Sequence, residues 1–329
     1  MSETAAGRPN IVVILVDDMG YSDIGCYGSE IRTPHLDGLA SGGLRLTQMY
    51  NGARCCPTRA ALLTGLYAHQ TGIGHMVNDL GAPAYQGFLN DRCVTIAEAL
   101  RPAGYRTIMS GKWHVGGQYS TQPADWKAGQ PGFPRPTDRG FDHHFGTLAG
   151  AGSYFNPHTL MRDGEYVEPE GEDFYYTDAI GDEAAGQIER AAADGVPFFL
   201  YAAFTAPHWP LHARPEDIVR NRRRYRDGWD ALRASRHARL KELGLLSGAW
   251  PLSPRDSQAP DWADVPDQDW EDARMAVYAA QVESLDASIG KILEALRAHG
   301  LDSNTLVMFL SDNGGCAELL REDGPLGSA

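Results

Sequence analysis

Short, fully apolar runs alternate along this chain with amphipathic stretches. Residues 10–16 read Asn-Ile-Val-Val-Ile-Leu-Val, a β-branched run of strand length with no polar alternation, which predicts a strand covered on both faces of a parallel sheet. The run stops abruptly at Asp17-Asp18. Apolar runs follow at 197–204 and 306–310, the last also expected to be buried, a short strand is expected at 105–109, and each of the three is followed by polar residues. Between them lie helix signals. Thr33-Pro34 is a cap and first-turn proline for a helix ending near Gly42-Gly43. Pro57-Thr58, with Thr58 as cap, opens an Ala/Leu run closed by Thr64-Gly65. Thr95-Ile96-Ala97-Glu98 is a capping box. A further helix is expected over about 178–193. Met275, Tyr278, Ala279, Val282, Leu285, Ile289, Ile292, Leu293 and Leu296 recur at spacings of three and four, until Gly300 stops the helix.

Two stretches lack such a period. Residues 115–176 are rich in Gly, Pro, Asp and aromatics and read as a long structured loop region. Residues 214–269 read as a polar, Trp- and Arg-rich insert with a helix in its middle, and the Arg222-Arg223-Arg224 cluster as a solvated face. Strands alternating with helices predict an α/β protein with a largely parallel central sheet. In such sheets ligands sit beyond the carboxyl ends of the strands. The four apolar runs deliver Asp17-Asp18, Lys112 with His114, His208, and Asp312-Asn313 to that edge.

The bulk numbers narrow the class. A chain of 329 residues, 43% hydrophobic and 22% charged, can bury a large core. Its formal net charge of -14 argues against a nucleic-acid or anionic-membrane surface. An anionic small substrate remains compatible, since a metal and a few Arg, Lys and His side chains reverse the field locally. Cys26, Cys55, Cys56, Cys93 and Cys316 are an odd, scattered set that fits neither a disulfide framework nor a zinc site. The N-terminus carries no apolar signal core and no run is long enough to span a bilayer, so the expected location is cytoplasmic.

The chemistry gathers around Cys55-Cys56-Pro57-Thr58-Arg59. Cys55 is expected just ahead of a helix N-terminus, where unpaired amides favour a thiolate, an alkoxide or a bound anion, with Arg59 one turn away. Two buried thiols beside a cap are the plainer alternative for a Cys-Cys pair. Asp17, Asp18, Asp312 and Asn313 together offer three carboxylates and an amide oxygen, hard ligands suited to Ca2+ or Mg2+, although either pair alone is equally a turn.

The string from Cys55 to Gly65 resembles the signature of the type I sulfatases, Cys-x-Pro-Ser/Thr-Arg followed by three residues and Leu-Thr-Gly, and Gly111-Lys112-Trp113-His114-Val115-Gly116 resembles a second motif of that family. Ala206-Pro207-His208 resembles a third, shorter one, with a packed His208 as the alternative. The likeness runs from Arg8 to Gly315, and the segment from Arg224 to Leu246 with Trp250 looks most like the arylsulfatases.

The resemblance implies an alkaline-phosphatase-like α/β sandwich, with one catalytic domain over 8–329. It implies that Cys55, not Cys56, is converted to Cα-formylglycine by a maturation enzyme. Asp17, Asp18, Asp312, Asn313 and residue 55 would hold one divalent cation, Ca2+ ahead of Mg2+. The implied reaction is hydrolysis of organic sulfate monoesters, aryl sulfates foremost. Asp312 acts as base for an aldehyde-hydrate hydroxyl, and Lys112 and Arg59 attend the anionic oxygens and the formylglycine. His208 protonates the leaving alcohol, and His114 deprotonates the second hydroxyl to expel sulfate.

A phosphonate monoester or phosphodiester hydrolase, or a catalytically silent metal- or anion-binding fragment, are the other readings. The family carries a further active-site Lys downstream of the Asp-Asn pair, whereas the last Lys here is Lys291. The expectation is therefore a truncated or split chain lacking a C-terminal subdomain, ending in a loop at 324–329. His35 and Asp37 are assigned to capping and packing, and His69, His75, His143 and His144 to no role.

Overall fold

In a computed structural model of the chain, residues 7–120 and 122–316 are described. The expected loop at 324–329 lies outside them. The strands are β1 (Asn10–Asp17), β2 (Arg106–Gly111), β3 (His143–Thr147), β4 (Leu160–Arg162), β5 (Glu165–Tyr166), β6 (Phe198–Pro207) and β7 (Thr305–Ser311). The α-helices are α1 (Pro34–Ser41), α2 (Cys55–Thr64), α3 (Ala68–Thr71), α4 (Ile96–Leu100), α5 (Tyr176–Asp194), α6 (Pro215–Asn221), α7 (Gly228–Glu242) and α8 (Gln268–Ala298). The chain divides into two compact units: Met1–Met19, Tyr50–Pro210 and Ser288–Ala329 form the first, and Gly20–Met49 with Leu211–Ala287 the second.

The first unit is built on one sheet of order β5-β4-β3-β2-β6-β1-β7. β3, β2, β6, β1 and β7 run parallel to one another, while β4 pairs antiparallel with β3 and β5 antiparallel with β4 at one edge. The apolar runs form the middle for the expected reason. β6 is buried at every position, and each of its large apolar side chains contributes roughly 1.5–3 kcal/mol by leaving water. The register Val13↔Tyr201↔Met109 puts alternate residues on one face. There Val13, Leu15, Phe199, Tyr201 and Ala203 pack with Cys56, Ala60 and Leu63 of α2. α5 packs along β6 and β2.

Two expectations about the sheet need correction. The stretch 115–176 is not all loop, since β3, β4 and β5 lie within it. β7 is not buried. It ends the sheet order among the described residues, and Leu306 and Met308 are 53% and 40% exposed. A continuous apolar run signals two covered faces only where neighbouring elements exist to cover them.

In the second unit, α1 begins as expected, but Thr33 does not cap it. The Thr33 hydroxyl accepts from the Gly25 amide, and the free amides of His35 and Leu36 donate to the Asp286 carboxylate (3.2 and 2.9 Å). Asp37 accepts from the Cys26 amide at 2.6 Å. The polar stretch contains α6 as well as the expected central helix, α7. The arginine cluster is not merely solvated: Arg222 pairs with Asp272 and Arg224 with Glu283. Among the described residues no helix is long and apolar enough to cross a membrane.

Candidate active site

The site lies in the first unit, at the carboxyl ends of β1, β2, β6 and β7. β1 ends on Asp17, and Asp18 follows it with a left-handed backbone (φ 60°). β2 ends on Gly111, where φ is +117° and a Cβ would stand 1.9 Å from the Ala203 carbonyl oxygen. Only glycine fits there, and the close approach lets the Lys112 amide donate to Ala203 at 2.7 Å. Trp113 turns into the core, its indole donating to the Pro134 carbonyl at 2.8 Å. Its neighbours Lys112 and His114 therefore fall together on the other side. β6 ends on Pro207, and His208 follows. Asp312 and Asn313 follow β7, with the Asp312 amide donating to Val16 of β1 at 3.0 Å.

Cys55 is the first residue of α2, and Thr58 lies inside its first turn rather than capping it. Pro57 is tolerated because first-turn amides have no helical acceptor. The Thr58 hydroxyl accepts from the Gly52 amide at 2.8 Å and donates to the Asp312 carbonyl at 2.5 Å, tying α2 to the segment after β7.

All nine residues singled out from the sequence meet here. Arg59, wholly buried, donates from Nη2 to Asp17 Oδ2 (3.2 Å) and Asp312 Oδ2 (2.8 Å), and from Nη1 to the Lys112 carbonyl (3.1 Å). Lys112 Nζ pairs with Asp17. Asn313 donates to Asp18 Oδ1 at 2.7 Å and stands 3.8 Å from Cys55 Sγ. His208 Nε2 faces Asp18 Oδ2 at 3.5 Å, and its Nδ1, 2.5 Å from the Trp209 carbonyl, must carry a proton. Of the unassigned histidines, His143 lies between Asp163 and Glu183, and His69 packs edge-on against Tyr85.

The electrostatics set each group's state. Burial would raise the Asp17 carboxyl, but Lys112, His208 and Arg59 outweigh it and hold it well below the usual range. Burial and the Asp17 charge push Asp312 up to about 7, against the pull of Arg59 and Lys112. Burial, then the Lys112 and Arg59 charges, hold His114 well below its ordinary value, so it is a neutral imidazole. The Cys55 thiol is pushed up to about 11 by burial and by Asp17 and Asp312, despite Lys112 and Arg59. Of the thiolate, alkoxide or bound anion that a helix N-terminus could favour, the thiolate is opposed here by two carboxylates and a low dielectric. As an unmodified cysteine, residue 55 is a poor nucleophile at neutral pH.

A divalent cation fits this arrangement. Asp17 Oδ1, Asp312 Oδ1 and Asn313 Oδ1 are buried oxygens without hydrogen-bond partners, and leaving such acceptors bare costs about 1–3 kcal/mol each, more when charged. One oxygen each from Asp17, Asp18 and Asp312 lies within 4.8 Å of the others, and two oxygens on one calcium-sized ion are at most about 5 Å apart.

The raised Asp312 carboxyl gives a pH test. Its folded value exceeds the ordinary carboxylate value near 3.9, so its contribution to metal-free stability is complete below that value and is lost as pH rises through about 7. A cation needs the carboxylate. Calorimetric titration should therefore show up to one proton released on binding at about pH 6, little at about pH 8, and tighter binding as pH rises. Heats independent of buffer ionisation at about pH 6 would contradict this.

Comparison with known proteins bears on these observations. A family model described as Sulfatase matches residues 9–323. This chain belongs to the sulfatase family. It is 40% identical over 323 residues to an arylsulfatase of Klebsiella aerogenes, covering 93% of this chain and 66% of that one. It is 36% identical to an uncharacterized sulfatase of Schizosaccharomyces pombe, over 93% of this chain and 58% of the relative. The chain thus spans two thirds or less of the length of these curated relatives. Among solved structures it resembles Ps i-CgsB in complex with k-i-k-neocarrahexaose, with TM-score 0.66 and 29% identity over 94% of this chain and 59% of that one. The alkaline-phosphatase-like α/β fold expected from the motifs is the fold found. The family implies a metal ion and a formylglycine.

Proposed function

We propose that this chain carries the catalytic site of a sulfatase that hydrolyses organic sulfate monoesters, aryl sulfates foremost, to an alcohol or phenol and sulfate. The observation that carries this reading is the ring of partnerless buried oxygens beside Cys55, backed by two buried cations, Arg59 and Lys112. Asp17, Asp18, Asp312 and Asn313, with residue 55, are the ligand set we assign. Calcium is favoured over magnesium, because an all-protein cage of several carboxylates suits the larger ion, whereas magnesium usually keeps its waters. When bound, the ion neutralises anionic oxygen and acidifies hydroxyl groups. Conversion of Cys55 to formylglycine by a maturation enzyme supplies a hydroxyl nucleophile where the native thiol is suppressed.

The chain's own groups divide the rest. Asp312 Oδ1 takes the proton of the attacking hydroxyl. Lys112 and Arg59 balance the charge of the sulfuryl oxygens. His208 Nε2, turned toward Asp18 while Nδ1 holds the Trp209 carbonyl, delivers a proton to the leaving oxygen. Neutral His114 accepts the proton of the second hydroxyl as sulfate departs.

Two measurements test this. An aryl sulfate should turn over faster than an aryl phosphonate diester, and the reverse preference would move the chain to phosphonate or phosphodiester hydrolysis. Calcium should raise the Tm of metal-free protein more than magnesium does, and Asp17→Ala and Asp312→Ala should lose that rise. An equal response in wild type and both variants would remove the cation site.

A further inference from the structure

One loop, residues 148–154 after β3, touches both site histidines. Its start is pinned: the Leu148 and Ala149 amides donate to the Thr159 carbonyl (3.3 Å) and hydroxyl (2.9 Å), and the Leu148 carbonyl accepts from the His114 amide at 3.2 Å. Gly150 lies close against the His114 imidazole. A Cβ there would stand 2.2 Å from Cε1, 2.3 Å from Nε2 and 2.7 Å from Nδ1, contacts that real Cβ atoms do not make. His114 itself has a left-handed backbone (φ 54°), a conformation that its surroundings must hold. At the other end Tyr154, 1% exposed, stacks on Tyr175 with ring centroids 5.8 Å apart, and its carbonyl accepts from the Tyr176 amide at 2.8 Å. Its hydroxyl donates to the His208 carbonyl at 2.7 Å.

We infer that this loop is the positioning element for both acid–base groups, with Gly150 fixing the His114 ring and Tyr154 fixing His208. Neither residue touches the reacting atoms. The inference rests on the reading above, in which His208 protonates the leaving oxygen and His114 serves the departure of sulfate. The two positions then govern different halves of one reaction. A displaced His208 hurts basic leaving groups most. A displaced His114 slows the half that no longer contains the leaving group, so kcat becomes the same for all esters and the first alcohol appears in a burst.

The experiment compares Tyr154→Phe, Gly150→Ala and His208→Ala in the matured protein, using alkyl and nitrophenyl sulfates. Tyr154→Phe should lose up to about tenfold on alkyl sulfates, a hydrogen bond's worth, and little on nitrophenyl sulfates. Gly150→Ala should lower kcat, by up to about 100-fold, to one value shared by alkyl and nitrophenyl sulfates, with an alcohol burst. If His208→Ala shows no leaving-group dependence, the reading of His208 fails. If His208→Ala is steep but Tyr154→Phe is not, the positioning claim fails alone. Histidine ring NMR signals serve independently of turnover: Tyr154→Phe should move the His208 signals and spare His114, and Gly150→Ala the reverse. Movement of neither or both overturns the inference. Should Gly150→Ala not fold, the double variant with His114→Ala should fold as well as His114→Ala alone. Its failure would assign Gly150 to the backbone instead of the ring.

Discussion

Replacing Cys55 by alanine is expected to lower sulfate-ester turnover by at least about 10⁴-fold, the scale on which losing a nucleophile stops a hydrolase. The argument starts from what the thiol cannot do. Held up to about 11, it is almost wholly protonated at neutral pH, and the nearby Asp17 and Asp312 oppose any negative charge on sulfur. Oxidation to an aldehyde whose hydrate bears two hydroxyl groups replaces a disfavoured anion with neutral oxygen. Cys56 lies one residue away with its thiol raised still further by burial, and it packs into the core beneath α2. Mass spectrometry of protein from a host competent in the maturation step should find the aldehyde at Cys55 and a thiol at Cys56. An unmodified Cys55 with an unchanged rate in Cys55→Ala would refute the proposed function.

Much of the site was legible because its residues follow the strongest signal a sequence carries. Continuous apolar runs mark the parallel strands β1, β6 and β7, the shorter β2 pairs beside β6, and Asp17, Lys112, His208 and Asp312 stand at or directly after the ends of these strands. What escaped depends on partners far away in sequence. β3 reads His-His-Phe-Gly-Thr, and β4 and β5 are three and two residues long, too short and mixed for any period to show. Thr58 looked like a cap because a hydroxyl beside a proline commonly is one. Its actual acceptor, the Asp312 carbonyl, lies 254 residues on. Tyr154 carried no signal at all, since a buried hydroxyl takes its meaning from the carbonyl it meets. Gly150 sits in a Gly-Ala-Gly stretch that reads equally well as a plain turn. The raised Cys55 thiol has the same kind of cause: helix polarity is local and readable, whereas the opposing carboxylates arrive from β1 and from beyond β7.

Arg59→Met should cost the metal-free protein about 3–5 kcal/mol, the usual loss when one partner of a buried ion pair is removed. The guanidinium is completely buried and joins Asp17, Asp312 and the Lys112 carbonyl, so methionine fills the space but leaves both carboxylates facing each other with Lys112 as their remaining permanent cation. The penalty should vary with conditions in a definite direction. Asp17 is depressed in the folded state, after burial, by Lys112, His208 and Arg59, so its stabilising share exists above the ordinary carboxylate value and fades as pH falls. The cost of losing Arg59 should accordingly shrink towards about pH 4, where protonation does what the guanidinium did. Saturating calcium should also shrink it, because a cation held by the same carboxylates offsets their repulsion. Urea unfolding of wild type and Arg59→Met, with and without calcium at two pH values, measures all of this. A loss that is the same under all four conditions would mean that Arg59 serves as packing and that the carboxylates do not share a cation.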